Sequence, residues 1–301
     1  MAIERKKDKY GNKMRHRGEA LLRMTAAIVF WLLVWQVLSF LIGSELLLPS
    51  PWAVVRSFCG LAQTTEFYRS ILHTLLRVAA GFAAGMAAGL LAGTLTAFSR
   101  AADVLLTPLK NIIKATPVTS FIVLILLYFS SNVTPSAVAF LAVLPICWSN
   151  VCEGLRQTDK KMTELAHAYA FGRKKTLREI YFPAVRPYLS AAATTGLGFA
   201  WKSCVAAEVI ALSKNSVGRA LYESKLYLET AELFAWTASV VLISVLFEKL
   251  LVHKLFKNRN TEGAAGRRSE SLEHGHASCE AELQYKSDAY AEYGRDEERN
   301  I

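Results

Sequence analysis

Two ionisable side chains, Lys202 and Glu208, lie inside an apolar run at residues 188–212. A charged side chain at the centre of a bilayer span costs roughly 2.5–3.5 kcal/mol on insertion scales, so it needs a partner or a purpose. Six positions place the two about 120° apart on a helix, which is not an ideal intrahelical pair. Two readings follow. Lys202 and Glu208 belong to an intramembrane pairing, or they line a path for a solute, where an ammonium would favour anions. His73 and Arg77, four apart at the start of another apolar run, read as interfacial side chains that snorkel. Catalytic patterns are missing: there is no H-E-x-x-H, G-x-S-x-G or G-x-G-x-x-G, and the GRKKT run at 172–176 lacks the upstream glycine of a phosphate-cradling loop. His274, His276 and Cys279 have no fold to orient them as metal ligands. The other cysteines, Cys59, Cys147, Cys152 and Cys204, form no C-x-x-C pair. No catalytic, cofactor-binding or metal-binding residue is assigned, and the chain is not read as an enzyme.

The second chemically notable stretch is ELAHAYAFGRKKTLREIYFP, residues 164–183, a basic segment between apolar runs at 135–152 and 188–212. Polar backbone of this kind cannot sit in lipid. It is expected to project from the bilayer as two short helices jointed near Gly172.

The elements that must position these residues are membrane helices. The chain has 301 residues, 52% hydrophobic and only 20% charged, and the apolar residues gather in blocks long enough to span a hydrocarbon core. Six spans are expected at about 25–42, 71–98, 104–129, 135–152, 188–212 and 233–252, the third interrupted by Lys110, Lys114 and Pro117 and therefore a candidate for a broken helix. The fold class is all-α, a polytopic membrane protein of about six transmembrane helices. Lys and Arg crowd the segment before the first span, the loop after the fourth and the segment after the sixth. These fall on one side, so both termini and residues 164–183 are expected in the cytoplasm, with the protein in the plasma membrane. The net charge of +10 is thus a topology signal and does not indicate a nucleic-acid partner. No cleavable signal peptide is expected, and the first span reads as a retained anchor. Three regions follow: a basic arm (1–23), a transmembrane domain (24–258) and a tail (259–301). Residues 262–301 hold ten acidic against five basic residues without apolar periodicity, which predicts disorder. Within the second span Gly81, Gly85, Gly89 and Gly93 recur every four residues. That spacing builds one small-residue face against which a neighbouring helix can pack.

Counted from Glu164, the projecting segment resembles the EAA loop of binding-protein-dependent ABC importer permeases, whose pattern runs Glu-Ala-Ala, a Gly, then Ile-x-Leu-Pro. Glu164, Ala166, Ile180, Phe182 and Pro183 fall in register with it. Leu165 replaces the first Ala, and Ala170 stands where the Gly belongs, with Gly172 two residues late. LLPSPWAVVRSF (47–58), HTLLRVAAGF (73–82), residues 106–117 and GLGFAWKSCVAAEVI (196–210) are similar to the subgroup that imports sulfonates, taurine and nitrate. The resemblance covers about residues 21–258. It implies a subunit that forms a homodimer, sits on two ATP-binding cassette subunits and receives its solute from an extracytoplasmic solute-binding protein. In that reading Glu164 makes a polar contact with the ATPase, Ala166, Ala170 and Gly172 keep the loop slim, and Pro183 stops its second helix. ATP is bound by the partner, and this chain carries no cofactor. The alternative is a stand-alone secondary transporter, which would need intramembrane acid or His relays or paired inverted repeats.

Overall fold

The computed structural model describes residues 2–256. The expected acidic tail therefore lies outside the described residues. The chain divides into two compact units, the first ending at Phe247; the described part of the second is the end of one helix. In order, the elements are α1 (Ala2–Ile42), α2 (Pro51–Leu61), α3 (Thr65–Phe98), α4 (Arg100–Ala115), α5 (Val118–Tyr128), α6 (Thr134–Arg156), α7 (Lys160–Ala168), α8 (Arg173–Thr176), a π turn (Leu177–Tyr181), α9 (Phe182–Ala211), α10 (Val217–Leu226) and α11 (Thr230–Phe256). No strand occurs among the described residues. The protein is an all-α, multi-pass membrane protein.

Helix starts are written in the sequence. Ser50, Thr64, Ser99 and Ser216 each cap a helix by accepting a backbone N–H with the side-chain oxygen, from Ala53, Phe67, Ala102 and Arg219 respectively. Among the described residues, four helical stretches are long and apolar enough to cross a membrane: Leu22–Ile42, Thr65–Phe98, Thr134–Arg156 and Thr230–Phe247. The expected third span is two helices, α4 and α5, bent by 104°. The bend falls at Thr116 and Pro117, because proline supplies no N–H and holds the preceding residue extended, here at ψ 128°. The expected fifth span is α9. Its 30 residues reach about 45 Å at 1.5 Å per residue, yet it is not among those four. The reason is positional. Much of α9 is buried among other helices, so its Ser, Thr and Glu side chains need not face lipid.

The core is a three-helix seam of α3, α6 and α9, joined by Val78, Val143, Ala200, Trp201 and Cys204. Glycine makes its tightest part. A Cβ built on Gly85 would lie 2.8 Å from the Val143 Cβ, on Gly89 2.6 Å from the Cys147 Cβ, and on Gly93 2.8 Å from the Trp148 carbonyl oxygen. Gly81 abuts the Ser136 carbonyl and Ala139 in the same way. The four-residue ladder of α3 is the groove in which α6 lies, backbone against backbone. Trp148 adds a hydrogen bond, its Nε1–H donating to Thr96 Oγ1 at 3.0 Å.

Two ends of this bundle differ in character. One gathers the end of α3, the start of α4, the end of α6 and everything from α7 to the start of α9. The other gathers the start of α3, the 130–133 turn, the end of α9, α10 and the start of α11. The first is called the loop end below and the second the far end.

Candidate functional site

At the loop end, α7 stops in a closed turn. Tyr169 N–H donates to the Leu165 carbonyl at 3.0 Å, and Phe171 N–H reaches back five residues to the Ala166 carbonyl at 2.8 Å. Between them Ala170 adopts φ +51°. This is the helix-ending turn that glycine usually completes, since an L side chain in the left-handed region costs about 1–2 kcal/mol. Ala170 thus holds the glycine conformation at the position where the EAA pattern has glycine. Gly172 is not left-handed; its carbonyl accepts from Lys175 and Thr176 and opens α8. The joint expected near Gly172 is therefore centred on Ala170. Lys175 Nζ sits 3.9 Å from the centre of the Phe171 ring, a cation over an aromatic face that fixes the turn further.

Burial sorts the residues of α7. Glu164 is exposed, whereas Ala166 is only 4% exposed. Ala166 thus faces the body of the protein, and its small size serves internal packing instead of slimming an outward surface. Met162, Leu165 and Tyr169 are 54%, 55% and 71% exposed. Their i, i+3, i+7 spacing puts them on one helix face. An apolar stripe is left uncovered, with exposed Glu164 about 100° round the helix from its Leu165 edge.

Pro183 does not stop a helix. The chain runs from α8 through the π turn into α9 without a break, and Pro183 lies in the first turn of α9. Its missing N–H removes one helical bond and its ring crowds the carbonyl four residues back. The helix widens there: Phe182 N–H donates to the Leu177 carbonyl, five residues earlier. Ile180, inside this widened turn, is half-buried. Neighbouring aromatics tie the turn to the bundle. Tyr181 packs edge-on against Phe98 at 5.2 Å, and Tyr188 Oη donates to Gln157 Oε1 at 2.8 Å.

The far end of α9 carries the second cluster. Glu208 is fully buried, and its carboxylate accepts from Thr74 Oγ1 at 2.9 Å, Arg77 Nη1 at 2.9 Å and the Gly218 N–H at 3.2 Å. Arg77, its side chain 13% exposed, also donates through Nη2 to the Lys214 carbonyl at 2.8 Å and to Asn132 Oδ1 at 3.4 Å. Thr74 Oγ1 accepts from the Val217 N–H at 3.1 Å, and Asn132 Oδ1 accepts from the Lys214 N–H at 3.1 Å. A buried carboxylate is tolerated only when paired and hydrogen-bonded, and here both conditions hold. Gly218 is required sterically, because a Cβ would collide with the Glu208 Cβ and the Val209 nitrogen.

Lys202 takes no part in this. It is exposed on α9, and among the described residues it forms no ion pair. Pairing of Lys202 with Glu208 is thereby corrected: the two point to different sides of the helix, and the partner of Glu208 is Arg77 from α3. Arg77 is likewise not a snorkelling residue. Arg77 was singled out in the sequence but for another role, and Thr74, Asn132 and Gly218 were not recognised as its companions. The available signal was two opposite charges in separate spans, each a few turns from the same end.

Comparison with known proteins now bears on both clusters. Residues 85–253, more than half of the chain and inclusive of α6 through α10, match the family described as binding-protein-dependent transport system inner membrane component. The chain belongs to that family. Among its relatives is the riboflavin transport system permease protein RibX of Chloroflexus aurantiacus, 30% identical over 240 residues, with 77% of this chain and 89% of the relative covered. A permease protein named for aliphatic sulfonates transport, SsuC of Bacillus subtilis, is 28% identical over 234 residues, covering 76% and 84%. The bicarbonate transport system permease protein CmpB of Synechococcus elongatus is 23% identical over 227 residues, covering 70% and 80%. This inner membrane component is a transport subunit of the sulfonate and nitrate type, in a class of system that works with a binding protein. Its two clusters sit at opposite ends of one helix: from Phe182 to Glu208, α9 advances about 39 Å.

Proposed function

We propose that this chain is the permease subunit of an ABC importer, that two copies form the translocation path, and that a separate ATP-binding subunit docks on the loop end. The observation that carries the reading is the uncovered face of Met162, Leu165 and Tyr169, with Glu164 also exposed on the same helix, whose end is closed by its own hydrogen bonds. A preformed amphipathic helix of this kind suits a groove on a partner. ATP binds to that partner and not to this chain. The loop end then faces the cytoplasm, together with both termini, in accord with the Lys and Arg distribution. A solute-binding protein delivers the solute to the far end.

The solute is a small anion. Lys202 supports this, since its side chain lies on an exposed side of α9 shared with Ala191, Thr195, Phe199 and Ala206, and among the described residues it forms no ion pair. On that side a second copy would leave a wet passage, and the ammonium would select for negative charge.

The test is the Glu164→Lys variant, expressed with its ATPase and purified from membranes. Membrane insertion should be normal, while the amount of ATPase recovered with the permease and the transport rate should both fall at least tenfold. Wild-type recovery and transport would overturn the assignment of this loop as the docking element.

A further inference from the structure

The Glu208 cluster joins four parts of the far end through side chains that no role in docking or solute selection explains. Thr74 and Arg77 come from α3, Asn132 from the turn before α6, Glu208 from the last turn of α9, and Val217 and Gly218 from the start of α10. Ser213 adds a further tie, its Oγ donating to the Ser131 carbonyl. All of these bonds except that from Gly218 to Glu208 join residues far apart in sequence, and the central pair is buried, where removing one partner leaves an uncompensated charge. A helix clamped at one end by so many bonds cannot tilt independently of its neighbours at that end. Its other end continues directly into the π turn and α8.

We infer that Arg77 and Glu208 are transmission residues: they weld α3, α9 and α10 into one body, so that displacement of the loop end is delivered at the far end by the whole of α9 acting as a rod. A cavity of about 560 Å³ lies at the receiving end, lined by Arg69, Lys214, Ser216, Arg219, Glu229 and Trp236 among others. Lys214 and Ser216 belong both to that lining and to the segment that the weld holds. Motion of α9, carried together with α3 and α10, therefore shifts these walls of the cavity against Trp236 of α11, and whatever bridges the two sides biases the position of α9. Reciprocity of this kind is what thermodynamic linkage requires of two coupled sites. The inference rests on the docking of an ATPase at the loop end.

The experiment uses the permease reconstituted in proteoliposomes with its ATPase, with its solute-binding protein and an aliphatic sulfonate added outside. Arg77→Gln, Glu208→Gln and the double variant are compared for ATPase recovery, basal ATP hydrolysis and solute transported per ATP hydrolysed. ATPase recovery and basal hydrolysis should stay within twofold of wild type in all three. Solute per ATP should drop tenfold or more in each single variant, and the double variant should be no worse than the poorer single one, as expected for partners in one pair. Unchanged transport per ATP, or losses that multiply in the double variant, would overturn the weld. Loss of ATPase recovery in the unmutated protein would instead remove the docking reading beneath it. A second measurement covers variants that fail to fold. Cysteines placed as Asn132→Cys and Lys214→Cys, oxidised reversibly, should leave transport at the reduced level if this end moves as one body. Transport abolished by the cross-link and restored by reduction would show that the far end opens at this seam, and the inference would fall.

Discussion

Replacing Ala170 by glycine isolates one term of the loop's stability. Ala170 is exposed and sits at φ +51°, so the change removes strain without removing buried surface. Left-handed backbone costs alanine about 1–2 kcal/mol relative to glycine. Against this, glycine adds roughly 0.4–1 kcal/mol of conformational freedom to the opened chain. The net gain is about 0.5–1 kcal/mol, which lowers the open fraction of the turn by roughly two- to fivefold at 25 °C. The reporter is the Phe171 amide, whose hydrogen bond to the Ala166 carbonyl closes the turn. Hydrogen–deuterium exchange of the purified permease, read on peptides covering residues 165–176, should slow by that factor in Ala170→Gly. Ala170→Val should exchange faster than wild type, because a β-branched side chain fits the left-handed region worst. Equal or faster exchange in the glycine variant would refute the argument that Ala170 is strained.

Three further outcomes follow from geometry already described. Gly89→Ala places its methyl 2.6 Å from the Cys147 Cβ; overpacking of about 1–3 kcal/mol outweighs the gain of about 1 kcal/mol in helix propensity, so Tm in detergent should fall. Gly218→Ala drives a Cβ into the backbone of Val209 and should lower Tm by more than Gly89→Ala, since the Glu208 carboxylate is displaced from the Gly218 N–H as well. Lys202→Met should reduce uptake of an anionic solute while Tm stays within a degree or two of wild type, because Lys202 is exposed; a large drop in Tm would show a structural pairing instead.

The parts of this protein legible in its sequence are those governed by local chemistry. Apolar runs located the helices, the four-residue glycine spacing located a close-packing face, and the basic segment at 164–183 located the projecting loop. What escaped was set by distance or by register. Arg77 and Glu208 are 131 residues apart, and nothing within either helix signals the other. Lys202 and Glu208 drew attention together as the ionisable side chains of one apolar run, but tertiary packing turned one inward and left the other outside. Pro183 was expected to end a helix; the chain absorbs it by widening one turn, a response that depends on what Tyr181 and Tyr188 pack against. The left-handed Ala170 was hinted at by its place in the EAA pattern, yet side-chain identity argued for Gly172.

The 131-residue separation of Arg77 and Glu208 also has a meaning in time. At a synthesis rate of about 5–20 residues per second, Arg77 emerges roughly 7–26 seconds before the carboxylate that neutralises it. For that interval a guanidinium waits at the edge of the bilayer with no counter-charge from α9. A chain that ends before α9 therefore has its glycine groove filled by α6 but lacks the carboxylate that neutralises Arg77.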